Sequence, residues 1–551
     1  MSLTSHSPSS ASPAVVCERL SFAWPDGHPV FSELDLVLPP GRTGIIGDNG
    51  IGKSTLLRLI AGQLSPSSGS VRTEGSCRYL PQRITAHRES SVAELLGIAP
   101  VLGALARIES GSVDPDDFDI VGDDWDVSPR AVAALRVAGL DADESWLSRR
   151  LTQLSGGEAM SVALTGVGLA GAELTLLDEP TNNLDHSTRE RFHRSLDSWP
   201  GSLVVVSHDR DLLEHVDSIC ELDARGAQVF GGTLGEYEEY RQGRQLAAQR
   251  RLREADAELA RVQRQMRAEQ QRQQQRDRAA RREKARGNVA KGEADYFANR
   301  SQKNTGSKRT LHAGELDEAT RLRAEADADA RQAEHIRVDL LGTALAANRR
   351  VLALRHGDRE LRMDDPARVR LAGDNGIGKS SLLGLLAGTR ASLPEGLFAE
   401  PTGVSLAPDL PWAMLDQRLD MLNGFGTGFE AMRAAAPSRT PQEARELLAR
   451  LLLTKDKPLQ DIASLSGGER FRLVLACVLF ARPAPQLLLL DEPTNNLDMA
   501  SVEVLIDALD GYSGALLVVS HDEHLVEGLR VGRVWQLERG PAGTTIREHL
   551  L

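Results

Sequence analysis

Two phosphate loops of nearly one spelling occur in a single chain: GDNGIGKST at Gly47–Thr55 and GDNGIGKSS at Gly373–Ser381. Both fit G-x-x-x-x-G-K-[ST], the glycine-rich turn whose backbone N–H groups cradle nucleotide phosphates. Each is followed, in the same order, by LSGGE (Leu154–Glu158, Leu465–Glu469), LLDEPTNNLD (Leu176–Asp185, Leu489–Asp498) and SHD (Ser207–Asp209, Ser520–Asp522). Asp178 and Asp491 are 313 residues apart, as are His208 and His521, and Ser155 and Ser466 are 311 apart. Four motifs repeated in order are an internal duplication, so the chain should fold as two α/β nucleotide-binding units of roughly 200 residues each.

The residue types specify the chemistry. In each loop the glycines (Gly47, Gly50, Gly52; Gly373, Gly376, Gly378) let backbone N–H groups point at phosphate oxygens, with Asn49 and Asn375 in the turn, and a Cβ at Gly52 or Gly378 is expected to block that approach. Lys53 and Lys379 reach the β- and γ-phosphates; Ser54 and Ser380, followed by Thr55 and Ser381, bring hydroxyls to Mg²⁺. LTLLD and LLLLD read as buried strands that deliver Asp178 and Asp491 to Mg²⁺ at a sheet edge. Glu179 and Glu492 come next and are the candidate general bases for the attacking water. His208 and His521 end a second apolar strand and would bond the γ-phosphate and that water. Gln82 and Gln417 end the strand-like segments CRYLPQ and WAMLDQ and could sense Mg²⁺ and water. Trp24 is placed to stack on adenine. LSGGE supplies a hydroxyl and glycine N–H groups at a helix N-terminus, an anion site (Ser155, Gly156, Gly157, Glu158; Ser466, Gly467, Gly468, Glu469).

Between the two copies the composition changes. Leu252, Ala255, Leu259, Val262 and Met266 form a heptad seam, and Leu316, Ala319, Leu322, Ala326, Ala330 and Ala333 a second, small-residue stripe. Glycines at Gly287, Gly292 and Gly306 lie between. This reads as an antiparallel helical hairpin, its first arm running from about Glu236 to Arg286. Residues 241–311 carry a net charge of +12 in a chain of net −13, leaving −25 for the rest. A basic projection on an acidic protein suggests contact with nucleic acid; the plain alternative is a solvated connector. The first copy also carries Glu109–Asp126, with eight acidic and no basic residues, read as a surface insertion without catalytic role.

The motif set resembles ATP-binding cassette (ABC) ATPases over nearly the whole chain. The paired cassettes, EPTNNLD in both copies and the charged helical linker resemble the ABC-F subfamily in particular. The resemblance implies head-to-tail pairing of cassettes in one monomer. Ser155–Glu158 would then complete the Lys379 site, Ser466–Glu469 the Lys53 site, and Asn183, Asp185, Asn496 and Asp498 would lie across the interface. It also implies a ribosome partner (rRNA and tRNA), with the linker entering from the exit-tRNA side, and a role in translation rescue or in protection from antibiotics. An exporter ATPase needing separate membrane subunits is the alternative. Two departures suggest unequal sites: Ala159–Met160 follow the first signature where Arg470 follows the second, and no aromatic near Arg349–Val351 matches Trp24.

The resulting division is a disordered N-terminus (1–13), a first ABC ATPase domain (14–240), a basic helical linker (241–333) and a second ABC ATPase domain (334–551). Four cysteines without C-x-x-C spacing suggest neither disulfides nor a metal site and fit a reducing cytoplasm. No apolar run approaches the roughly 18 residues of a membrane span.

Overall fold

The computed structural model describes residues 12–82, 90–182, 184, 186–223, 225–285, 314, 316–327, 340, 342–346, 349–364, 366–374, 376–394, 396–415, 420–453, 456–495 and 497–550. The expectations for the first eleven residues, for Asn183, Asp185, Asn375, Gln417 and Asn496, for Ala330 and Ala333, and for the linker tip lie outside the described residues. The chain divides into two compact units, one formed by Met1–Leu234 with Ile336–Leu551 and one by Gly235–His335.

The larger unit contains both copies of the repeat. In the first, β1 (Val15–Ala23), β2 (Pro29–Leu38), β3 (Arg42–Ile46), β4 (Ser68–Thr73), β5 (Cys77–Leu80), β6 (Leu174–Asp178), β7 (Ser202–Val206), β8 (Ser218–Asp223) and β9 (Gly226–Gly231) form two sheets. One is antiparallel, in the order β2-β1-β4. The other has the order β5-β6-β7-β3-β8-β9 and is parallel except at its β9 edge. The apolar runs LTLLD and SLVVV become its central strands because helices and the second sheet bury both faces.

The second copy repeats this with β10 (Arg350–His356), β11 (Arg359–Asp364), β12 (Arg368–Ala372), β13 (Thr402–Leu406), β14 (Trp412–Leu415), β15 (Leu487–Asp491), β16 (Ala515–Val519), β17 (Arg533–Gly540) and β18 (Gly543–Leu550). The orders are β11-β10-β13 and β14-β15-β16-β12-β17-β18. In both large sheets the strand ending in the motif aspartate neighbours the strand leading to the motif histidine, and the strand feeding the phosphate loop lies next in line. Asp178, His208 and Gly47–Thr55 therefore meet at one carboxyl edge, as do Asp491, His521 and Gly373–Ser381.

The antiparallel sheet is smaller in the second copy: β10 and β11 have 7 and 6 residues against 9 and 10 in β1 and β2. A different part of the chain makes up for this. In the first copy Val30 and Phe31, upstream on β2, pack over Gly52; in the second, Leu397 and Phe398, downstream of the loop, pack over Gly378. Phe398 is anchored by a bridge to Thr544 on β18. The acidic segment Glu109–Asp126 is largely folded: helix Pro115–Val121 packs on helix Ala99–Glu109, with Arg107 Nη2 2.6 Å from the buried Asp117 carboxylate.

The smaller unit is built on helix Leu234–Ala285, 52 residues long, or about 78 Å at 1.5 Å per residue. Leu252, Ala255, Leu259, Val262 and Met266 are its sheltered positions, with exposed residues between them. Residues 316–327 form a returning helical segment. Ala319 is buried and Arg323 Nε bonds Asp256 Oδ1 at 3.2 Å, tying the two arms. Leu322, expected in the second stripe, is 46% exposed, so that seam is narrower than its spacing suggested.

Candidate functional site

Each phosphate loop runs from its strand into the helix that starts at the motif lysine, Lys53–Ile60 and Lys379–Leu386. Gly52 and Gly378 have φ of 110° and 116°, which a side chain resists. The structure adds a packing reason for glycine. A Cβ at Gly52 would come within 2.6 Å of Val30 Cγ1 and 2.8 Å of Phe31 Cζ, so it strikes the β2 wall. Both lysines fold back on their own loops: Lys53 Nζ donates to the carbonyls of Gly47 (2.6 Å) and Asp48 (3.1 Å), and Lys379 Nζ to those of Gly373 (2.6 Å) and Asp374 (3.1 Å). Burial lowers both ammonium pKa values, against the pull of nearby carboxylates.

The hydroxyl and carboxylate expected at a cation converge. Ser54 Oγ donates to Asp178 Oδ1 at 3.0 Å, and Ser380 Oγ to Asp491 Oδ1 at 3.3 Å. That donor set, a hydroxyl beside a carboxylate at the loop, fits Mg²⁺, which takes oxygen ligands with retained waters. Glu179 and Glu492 sit in left-handed backbone, φ 49° and 46°. The N–H of each donates to the last residue of the neighbouring strand, Val206 O at 2.9 Å and Val519 O at 2.8 Å, which holds a conformation costing about 1 kcal/mol or more. His208 Nε2 lies 3.3 Å from Glu179 Oε1, and His521 Nε2 3.4 Å from Glu492 Oε1. Burial pushes the Glu179 carboxyl up to about 8, with Lys53 opposing, and pushes His208 down to about 3. Burial also raises Glu492, and Lys379 Nζ lies 3.2 Å from His521 Nε2.

The two copies face one another across a cleft of about 660 Å³. Trp24, Lys53, Gln82, Glu179 and His208 line it from the first copy, and Gly467, Glu492 and His521 from the second. Asn49 N–H donates to Asp498 Oδ2 at 2.8 Å, joining the first phosphate loop to the EPTNNLD segment of the second copy. Arg210 Nη1 lies 3.4 Å from Glu503 Oε1, a second cross-copy tie. The structure thus brings Gly467 of the second signature to the cleft that holds Lys53, whereas Ser155–Glu158 do not line that cleft. Both signature serines cap their own helices: Ser155 Oγ accepts from Glu158 N–H and Ser466 Oγ from Glu469 N–H, in full capping boxes. Met160 is buried in the core, while Arg470 Nε donates to Leu465 O at 3.1 Å.

A family model described as "ABC transporter" matches residues 31–182 and 358–495, one segment in each copy. The tylosin-resistance ATP-binding protein TlrC of Streptomyces fradiae is 32% identical over 536 residues, covering 91% of this chain and 93% of that one. The chain belongs to the ABC-F subfamily of ATP-binding cassette ATPases. Other ABC-F relatives agree: the probable ATP-binding protein YheS of Escherichia coli K12 is 30% identical over 89% of this chain and 73% of its own length, and ABC transporter F family member 4 of Arabidopsis thaliana is 28% identical over 91% and 70%. Among solved structures, the archaeal ribosome recycling factor aABCE1 in complex with the stalk protein aP1 superposes with TM-score 0.55 at 20% identity, covering 96% of this chain and 89% of that one, a likeness of fold.

The two cassettes of this ABC-F ATPase differ at Trp24 and at Tyr79. Trp24 stacks edge-on against Phe22 (centroids 5.2 Å apart, 83°), and Arg58 Cζ lies 5.9 Å from its ring centre. By the Lys53–Lys379 offset Arg58 becomes Gly384, and β10 turns into β11 through Gly357–Asp358 with no aromatic residue. Sequence reasoning missed Tyr79, whose hydroxyl donates to Asp178 Oδ2 at 3.2 Å. Its counterpart, counted back from Gln417, is Met414. The CRYLPQ segment contained that signal, a tyrosine on the strand beside the aspartate strand.

Proposed function

We propose that this ABC-F ATPase binds the ribosome through its basic helical linker and protects it from macrolide antibiotics, general translation rescue being the second reading. In this reading ATP binds at both phosphate loops. Lys53 and Lys379 leave their loop carbonyls for the β- and γ-phosphates. Ser54 with Asp178, and Ser380 with Asp491, hold Mg²⁺, with Gln82 and Gln417 beside it. Mg²⁺, when bound, neutralises charge building between the β- and γ-phosphates. Glu179 and Glu492 accept the proton of the attacking water, and His208 and His521 orient that water and the γ-phosphate. Ser466–Glu469 complete the Lys53 site and Ser155–Glu158 the Lys379 site. Trp24 stacks on adenine in the first site.

The observation that carries the resistance reading is the end-to-end similarity to a tylosin-resistance protein. The rescue reading draws on a fold neighbour from the solved structure "Model of ribosome-bound archaeal Pelota and ABCE1" (TM-score 0.52). The long helix supports a ribosome partner: Arg272, Arg276, Arg278 and Arg282 near its end are exposed, suited to phosphate contact. No described helix is long and apolar enough to cross a membrane. The test is expression in a susceptible host, which should raise tolerance to tylosin and related macrolides. Deleting residues 287–306 should abolish that tolerance and spare ATP turnover. Unchanged tolerance on expression of the full chain would rule out protection and leave translation rescue.

A further inference from the structure

Helix His186–Leu196 of the first cassette and helix Met499–Asp510 of the second occupy equivalent places, and the 313-residue offset pairs Arg189 with Val502 and His193 with Ile506. Arg189 and Val502 both line the shared cleft. At one position of the repeat, then, the first cassette offers a guanidinium and the second an isopropyl group.

Arg189 is loosely held. Its Nε is shielded from solvent and has no hydrogen-bond acceptor among the described residues. It lies 3.5 Å from Asp209 Oδ2, and Nη2 reaches Thr181 O only at 3.5 Å. Both distances exceed those of charge-assisted bonds. Asp209 has other partners besides it, since it also accepts from Leu212 N–H at 3.2 Å and lies 3.0 Å from His193 Nε2. The guanidinium can therefore swing away without leaving a buried carboxylate alone. Glu492 and His521 of the second cassette line the same cleft. His521 Nε2 lies 3.2 Å from Lys379 Nζ and 3.4 Å from Glu492 Oε1, so the cleft that Arg189 lines leads to the lysine of the second phosphate loop.

We propose that Arg189 is a cross-cassette ligand of the triphosphate held at Lys379, a first-cassette guanidinium that binds the γ-phosphate of the second site, with no counterpart at the first site because Val502 stands there. This rests on the reading of Gly373–Ser381 as an ATP loop. A planar guanidinium suits a terminal phosphate. ADP, which lacks that group, should not feel it.

The test uses the full chain carrying Lys53→Met, so that the second site alone binds nucleotide, and measures ATPγS and ADP affinities by equilibrium dialysis. Arg189→Met should weaken ATPγS binding about tenfold or more and leave ADP binding within about twofold, as expected for loss of one charge-assisted contact. Arg189→Lys should recover part of the loss. In a Lys379→Met chain, Arg189→Met should change neither affinity. Equal losses for both nucleotides, or a loss at the first site, would make Arg189 a structural residue and overturn the inference; melting curves of Arg189→Met and Arg189→Lys show whether the fold is intact. Unchanged ATPγS affinity in a parent that distinguishes the two nucleotides would also overturn it. A parent that binds neither nucleotide would refute the ATP-loop reading itself, and the inference with it.

Discussion

Asp498 does two separable jobs, and substitution should divide them. Its Oδ1 accepts Ser501 N–H at 2.8 Å, capping helix Met499–Asp510. Its Oδ2 accepts Asn49 N–H from the other cassette at 2.8 Å. Burial alone would raise this carboxyl, but hydrogen bonds from Ser501 and Asn49 outweigh it and hold the pKa below its ordinary value, so the acceptor is ionised at neutral pH. A helix cap contributes about 1 kcal/mol, and a charge-assisted bond about 1.5–3 kcal/mol. Asp498→Ser retains the cap, since serine is a good N-cap, but its shorter side chain cannot reach Asn49 as well. That variant should lower the equilibrium constant for cassette pairing about ten- to a hundredfold while barely moving the denaturant midpoint. Asp498→Ala should lose the cap too and unfold at lower denaturant. Steady-state ATP turnover, read beside urea denaturation of the same samples, separates the two effects. Wild-type turnover in Asp498→Ser would refute the claim that this bond holds the cassettes together; identical unfolding midpoints for the serine and alanine variants would refute the cap.

Gly52→Ala should cost far more than Gly50→Ala: both residues have positive φ, but only at Gly52 does a Cβ meet Val30 and Phe31, while at Gly50 it meets nothing within 4 Å. Strain alone is about 1–2 kcal/mol and overpacking adds about 1–3 kcal/mol, so the difference should appear in thermal melts. Glu179→Gln should stabilise the nucleotide-free protein, and more at pH 8 than at pH 5. A carboxyl raised from 4.5 to about 8 contributes stability below its unfolded pKa that is lost as pH rises through the folded one, and glutamine has no such loss; a pH-independent difference in melting temperature would count against the raised pKa. Trp24→Ala should weaken ATP at the Lys53 site about tenfold or more and leave the Lys379 site unchanged, measured with each lysine mutated in turn.

The fold was legible because its determinants are local. The apolar runs at Leu487–Asp491 and Ala515–Val519 could be little other than buried parallel strands, and the heptad from Leu252 to Met266 matches the sheltered side of the long helix. What escaped depends on distance along the chain. Phe398 takes over the packing role of Phe31 from the opposite side of its phosphate loop, which no motif spacing announces. The contact of Arg210 with Glu503 joins residues 293 apart; that of Asn49 with Asp498, residues 449 apart, was approached only through the family resemblance, which set Asp498 across the interface without naming its partner. Arg189 carries no motif; only the cleft makes it notable. At Gly52 the sequence pattern pointed to the phosphate side of the turn but not to Val30 and Phe31, because a pattern of residues does not say which wall lies behind a turn.

Cosedimentation of the Glu179→Gln/Glu492→Gln protein with ribosomes in the presence of ATP tests the central claim most directly. Loss of both candidate bases should leave ATP bound and the cassettes closed. The protein should then pellet with ribosomes, and binding should fall steeply as salt rises, because arginine–phosphate contacts release counterions. Charge reversal at Arg276, Arg278 and Arg282 should weaken the association with the cassettes still folded. A double variant that hydrolyses ATP at the wild-type rate would contradict the assignment of the bases. One that traps ATP yet stays in the supernatant at every salt concentration would contradict the ribosome as partner.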